Sequence, residues 1–218
     1  MNLKNLKKYK DEFIEKVGSY EGWSVPGTAW PIDDTRPNGS FPGNSIFFSE
    51  ALALYTLAKD NKIEVFIESG VFRGGSTSIW GRVFSDLQVY SVDYVQEGTN
   101  PRQKWEAVQS VIKPLYPNIT FVEGDGYEVL PKLITTNSDK KIGIFVDGPK
   151  YPGGLMLAES CFEDYENVLF TTLHDYVHPT YFTTHDSKFR DIVGNMDSDM
   201  KHPQCEKYPK GAGLTIIC

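Results

Sequence analysis

The chain has 218 residues, 23% of them charged, with a formal net charge of −7 at pH 7 and a pI of 5.1. A balance this acidic argues against nucleic acid as the main partner, because phosphate binding needs a basic surface. No apolar run is long enough to span a membrane and the charged start Met1-Asn2-Leu3-Lys4 is no signal peptide, so a cytoplasmic domain with a sizeable core is expected.

Leu3, Leu6, Tyr9, Phe13 and Val17 recur at helical spacing and predict a helix over 2–17, packed on the rest of the domain or on a second subunit. Residues 18–44 are rich in Gly, Pro, Trp and Asn and show no regular element. Their aromatics Tyr20, Trp23 and Trp30 suit the apolar face of a sugar or an aryl ring, so the segment reads as a ligand wall. Asn44 reads as the cap of a helix over 45–59, with Ile46, Phe47, Leu52, Leu54 and Leu57 inside.

The most informative stretch is 63–81. A short apolar strand, Ile63–Ile67, ends on Glu68; a loop with Gly70, Gly74 and Gly75 follows, then a helix-like run from Ser76 to Val83. Strand, acid, glycine loop and helix form a nucleotide-type pocket in an open α/β sheet, because glycines admit the ligand and the helix offers its N–H groups. Gly70 is expected where φ is positive or where a side chain would strike the ligand. Val89–Asp93 is a second apolar strand ending on an acid, where a carboxylate would grip ribose hydroxyls. The dinucleotide spacing Gly-x-Gly-x-x-Gly is not met, and Glu68 would repel a pyrophosphate. It suits a ligand with a positive centre and no phosphate, such as S-adenosylmethionine, and counts against an NAD-dependent dehydrogenase.

Three more strands follow. Ile119–Val122 leads into Glu123-Gly124-Asp125-Gly126 and an amphipathic run with Val129, Leu130 and Leu133. Ile142–Val146 ends on Asp147-Gly148-Pro149-Lys150, and Val168–Leu173 ends on His174-Asp175. Strand carboxyl ends are where ligands bind in such sheets. Residues 176–210 form a long polar stretch, and all four histidines, His174, His178, His185 and His202, lie between 174 and 202. Gly211–Cys218 is a final strand candidate, and no sixth strand is evident before it. The cysteines Cys161, Cys205 and Cys218 match no metal or redox spacing.

In the order of these motifs residues 46–218 resemble the class I S-adenosylmethionine-dependent methyltransferases. The loop Glu68-x-Gly70-x-x-x-Gly74-Gly75-Ser76 and the later Asp147-Gly148-Pro149-Lys150 are similar to those of small sugar and small-molecule O-methyltransferases. The resemblance implies a Rossmann-like, doubly wound three-layer α/β/α fold, mostly parallel, with an antiparallel C-terminal strand inserted in the sheet. Residues 1–218 would be one domain, with 1–45 as a helix-and-loop cap over a 46–218 core that carries an acceptor loop at 176–210. Glu68, Gly70 and Gly74 would lie beside the methionine part of the cofactor, with Ser76 opening the next helix. Asp93 would bind the ribose, Asp125 would sit near the adenine amine, and Asp147 would face the sulfonium and the acceptor. Each has a plainer reading: Asp93 as a turn cap, Asp125 and Asp147 as turn residues, Lys150 as a solvated lysine, His174 as the close of a strand.

The implied activity is O-methylation of a sugar hydroxyl, a deoxyhexose such as rhamnose in a glycan or glycoside. A catechol-like small molecule is the alternative acceptor, and a non-catalytic S-adenosylmethionine-binding module the alternative role. The Asn/Asp-Pro-Pro-aromatic segment of enzymes that methylate exocyclic amines is absent from the end of the fourth strand. Two arrangements for handling the acceptor proton stay open. Asp147 and Asp175 could hold Mg²⁺, or His174 or Asp147 could act as base without metal; Lys150 could neutralise Asp147 or touch the acceptor. Zinc is not indicated, since the histidines lack tight ligand spacing. A homo-oligomer, and a domain cut from a larger glycan-building enzyme, are both compatible with the sequence.

Overall fold

Each strand of the sheet divides its side chains between two cores, as a pleat with a two-residue repeat requires. Val65 and Ile67 pack with Leu130, Ile134 and Leu157. Phe66 between them packs on the opposite face against Trp80 and Phe84, with ring centroids 5.1 and 4.7 Å away. Strands covered on both faces read as continuous apolar runs, which is why they stand out in the sequence.

The computed structural model describes residues 3–17, 46–96, 102–199 and 213–218. In chain order they form α1 (Leu3–Val17), α2 (Phe48–Asn61), β1 (Val65–Ser69), α3 (Gly75–Val83), β2 (Gln88–Asp93), α4 (Arg102–Leu115) and β3 (Ile119–Glu123). Then come α5 (Gly126–Thr136), β4 (Ile142–Val146), α6 (Gly153–Glu163), β5 (Val168–His174), β6 (Phe182–Thr183), α7 (Ser187–Val193), α8 (Met196–Asp199) and β7 (Leu214–Ile217). The sheet order is β3-β2-β1-β4-β5-β7-β6. Neighbours among β1 to β5 pair in parallel, and β7 runs antiparallel between β5 and β6. Residues of α1, α2, α3, α4 and α7 share the core on one face, and those of α5 and α6 the core on the other. The doubly wound, three-layer arrangement and the inserted antiparallel last strand are as expected.

The sixth strand exists but is two residues long; Phe182 and Thr183 pair with Ile216 and Thr215. Helix α1 packs on α2, where the Tyr55 hydroxyl donates to Glu12 at 2.5 Å and the Asn5 amide to Asp60 at 2.7 Å. Helix α2 is buried from Phe48 through Ala58, because α1 covers the side turned from the sheet. It begins later than expected: Phe47 is the cap, and the Glu50 carboxylate accepts from the Phe47 N–H at 3.2 Å. Asn44, Tyr20, Trp23, Trp30, His202 and Cys205 lie outside the described residues. No described helix is long and apolar enough to cross a membrane.

Candidate active site

The sheet changes direction between β1 and β4, the switch point at which doubly wound sheets bind ligands beyond the strand carboxyl ends. The backbones leaving β1 and β4 touch there. Ser69 carbonyl oxygen accepts from the N–H groups of Asp147 and Gly148 at 2.7 and 2.8 Å, and the Gly70 N–H donates to Val92. Gly70 has φ +100°, and a Cβ on it would lie 2.6 Å from Gly148 N. Its glycine is therefore required by the crossing of two loops as much as by any ligand. Gly74 has φ +74° and caps α3; a Cβ on it would strike Ile112 and Val108 of α4.

Asp93, at the end of β2, accepts at one carboxylate oxygen from the N–H groups of Val71 and Phe72, at 2.9 and 2.6 Å. It thus shapes the glycine loop from the position expected to meet a ribose. Asp125 is exposed and caps α5, accepting from Tyr127 N–H at 2.9 Å. Glu68 departs from expectation. Two residues after Phe66, it shares that residue's face and turns inward beneath α3, fully buried. Ser76 and Thr77 hydroxyls, the Ser91 hydroxyl and the Trp80 indole N–H donate to it at 2.5, 2.6, 2.9 and 2.9 Å. Burial pushes its carboxyl up to about 7 against the lowering effect of these four donors. Glu68 and Ser76 therefore brace the start of α3.

By sequence the chain matches no family model and no curated protein. By structure it is similar to the apo form of CalS11, a TDP-rhamnose 3'-O-methyltransferase of calicheamicin biosynthesis, at 17% identity and a TM-score of 0.41 over 58% of this chain and 62% of that one. The SAH-bound methyltransferase PaMTH1 of Podospora anserina gives 14% identity and a TM-score of 0.47 over 99% and 95%. CmcI-N160 with SAH gives 15% and 0.39 over 77% and 75%. The chain spans less than two thirds of the first of these proteins. Its chemistry has to come from its own side chains.

Those side chains gather at the ends of β4 and β5, which pair in parallel. His174 closes β5 and is buried. Its Nδ1 lies 3.0 Å from Asp147 Oδ1 and its Nε2 3.1 Å from Glu50 Oε2. Glu50 is fully buried and also accepts from the Gly213 N–H at 2.8 Å. Burial alone would lower the imidazole, but the two carboxylates outweigh it and hold His174 well above the usual histidine range. Burial would raise Asp147, yet His174 and Lys150 hold it well below the usual carboxylate range. The Lys150 ammonium donates to Asp147 and, at 2.7 Å, to Asp175 Oδ2. Against the downward pull of burial, these carboxylates raise Lys150 above the usual lysine range. Asp175 takes a left-handed conformation, φ +59°, which aspartate adopts more readily than most residues, with its side chain 46% exposed.

Three consequences follow for the expected roles. His174, raised by the two carboxylates that meet its ring nitrogens, favours the charged form, which counts against a role as proton acceptor. Lys150 is an ammonium, a donor and no base. Glu50, unnoticed in the sequence, joins α2, β5 and the entry to β7 in one network.

Asp147, His174 and Asp175 are a group whose possible ligand atoms lie within 4.8 Å of one another among the described residues. The donor set does not fit a divalent ion as it stands. A metal needs an unprotonated imidazole nitrogen and carboxylate oxygens facing the ion, whereas here both nitrogens already lie within 3.1 Å of carboxylate oxygens and Lys150 lies on Asp147 and Asp175. The other described histidines do not join this group: His178 Nδ1 is engaged by Thr180 at 2.8 Å, and His185 lies beside Gly213. Beside the cluster runs an aromatic ladder. Tyr151 stacks on Tyr176 with centroids 4.3 Å apart, and His178 links Tyr176 to Tyr181 at 5.9 and 4.8 Å.

Proposed function

We propose that this protein is an S-adenosylmethionine-dependent O-methyltransferase acting on a sugar hydroxyl of a small glycoside or glycan. The observation that carries the reading is the Asp147–Lys150–Asp175 cluster at the strand ends beside the switch point. When bound, the cofactor supplies an electrophilic methyl group on a sulfonium. The fit is one of charge: Asp93 and Asp125 suit ribose hydroxyls and an adenine amine. Gly70 and Gly74 hold the intervening loop in the shape that Asp93 fixes.

The residues at β4 and β5 would align the acceptor and receive its proton. An alkyl hydroxyl is a very weak acid at rest, but its proton becomes strongly acidic as the oxygen bonds to carbon. A carboxylate, weak base though it is, then suffices. Asp175 is the accessible carboxylate and takes that proton; Asp147 and Lys150 orient the hydroxyl, and His174 with Glu50 fixes Asp147. The Tyr151–Tyr176 stack offers an aromatic face to the apolar side of a sugar ring. The same stack favours a catechol-like acceptor as the second reading.

The test has two stages. Calorimetric titration with S-adenosylmethionine should show saturable binding. Incubation with a panel of rhamnosides, other glycosides and catechols should then add one CH₂ unit to a member of the panel, seen by mass spectrometry. Absence of cofactor binding removes the proposal, and binding with no product across the panel leaves the non-catalytic module in its place.

A further inference from the structure

The cluster at β4 and β5 holds its own cation. Two carboxylates this close at neighbouring strand ends repel, and both stay ionised only if positive charge lies between them; without it they share a proton. Here that charge is the Lys150 ammonium, in contact with Asp147 and 2.7 Å from Asp175 Oδ2. It is tethered three residues from Asp147, so its effective concentration at the site is that of an intramolecular ligand. A free divalent ion must displace it before it can bind. His174 offers the ion no compensation, because Glu50 and Asp147 occupy both of its nitrogens. The ammonium has three N–H bonds. Asp147 and Asp175 take two, and the third can meet an acceptor oxygen, the service one open coordination position of a metal would render.

We propose that Lys150 takes the place of a divalent ion between Asp147 and Asp175, that the site operates without one, and that removing the lysine uncovers a divalent-cation site. The claim about cation binding stands on these contacts alone; the claim that the site operates without metal rests on the methyltransferase reading above.

The experiment uses Mn²⁺ as probe, titrated into the full chain by calorimetry and by loss of the free-ion electron paramagnetic resonance signal. The Lys150 side chain is 57% exposed, so Lys150→Ala is expected to fold, and a matching thermal melt checks this. Lys150→Ala should bind one Mn²⁺ at least tenfold more tightly than wild type. Lys150→Arg, which keeps the charge, should show no gain, and adding Asp175→Asn to Lys150→Ala should abolish it. The proposal is overturned if wild type binds Mn²⁺ as tightly as Lys150→Ala, if Lys150→Ala gains nothing, or if Lys150→Arg gains as much as Lys150→Ala. In the activity arm, wild type stripped with EDTA should methylate at its full rate and Mg²⁺ should not accelerate it; a rate abolished by EDTA and restored by Mg²⁺ overturns metal independence. If no methyl transfer is found with or without metal, the functional reading fails while the Mn²⁺ titrations still decide what Lys150 does.

Discussion

Glu68 and Asp147 sit at the ends of paired parallel strands and are held in opposite ways. Glu68 is enclosed by neutral donors, three hydroxyls and an indole, and is sealed from solvent. Asp147 is held by charged donors, His174 and Lys150, and its side chain keeps 26% exposure. A neutral cage can serve either protonation state, since hydroxyls can turn to donate or accept; a charged one commits its carboxylate to the anion. The first is what a brace needs, the second what the proposed alignment of an acceptor needs.

The comparison breaks if the two residues exchange phenotypes. Asp147→Ala should lower turnover about 10²-fold, the scale of a lost orienting contact, measured in steady state, with cofactor affinity by calorimetry near wild type. Glu68→Ala should instead act on the fold. It leaves four buried donors without their acceptor and should cost roughly 3–4 kcal/mol of stability in urea denaturation, about one per donor. A stable Glu68→Ala protein that had merely slowed would place Glu68 at the reacting centre after all.

The pH dependence sharpens the same contrast. Glu68 titrates at about 7 in the folded chain against an ordinary 4.5. Between those values the native state binds a proton that the unfolded chain has lost, so this residue makes stability fall as pH rises through the window. The drop is up to about 3 kcal/mol at about 1.4 per pH unit. Urea midpoints from pH 4 to 8 should show it in wild type and lose it in Glu68→Gln; an unchanged slope in the variant assigns the effect to another group.

Smaller effects are expected further from β4. Asp93→Ala releases two loop N–H groups and should weaken cofactor binding about tenfold, from loss of hydrogen bonds to a charged acceptor. Unchanged affinity would mean that the loop keeps its shape unaided. Tyr151→Ala, which removes one ring of the exposed stack, should raise the acceptor KM several-fold for about 1 kcal/mol of lost ring contact, leaving kcat alone. A fall in kcat at constant KM would place the ring against the reacting atoms.

The central strands β1, β4 and β5 were legible because burial on both faces leaves apolar runs that end abruptly on acids; β2 and β3 are partly exposed but still apolar enough to show. The helices between them were less so. Helix α4 carries Trp105, Val108 and Ile112 at helical spacing, but it lies in a polar stretch and has Pro114 in its last turn. Helix α6 opens on Pro152-Gly153-Gly154, residues that read as a turn. Strand β6 is too short to show a pattern. At the site, Asp147, Lys150, His174 and Asp175 were legible as strand-end residues and do converge. Glu50 was not, because an acid in the first turn of a helix ordinarily reads as a solvated cap. The inward turn of Glu68 was available from the two-residue repeat it shares with Phe66, which its place beside a glycine loop obscured.

The hydrogen bond from Gly213 to Glu50 spans 163 positions of sequence. Contacts so distant carry a larger loop-closure cost than nearer ones, so they are expected to form later. Glu50 meets its partner at β7 late, while α1 and α2 can pair early through Tyr55 and Glu12. A chain caught part-way through refolding would thus carry native helices and the glycine loop after β1, yet lack a fixed His174. Recovery of catalysis after dilution from urea should lag behind recovery of the helical signal.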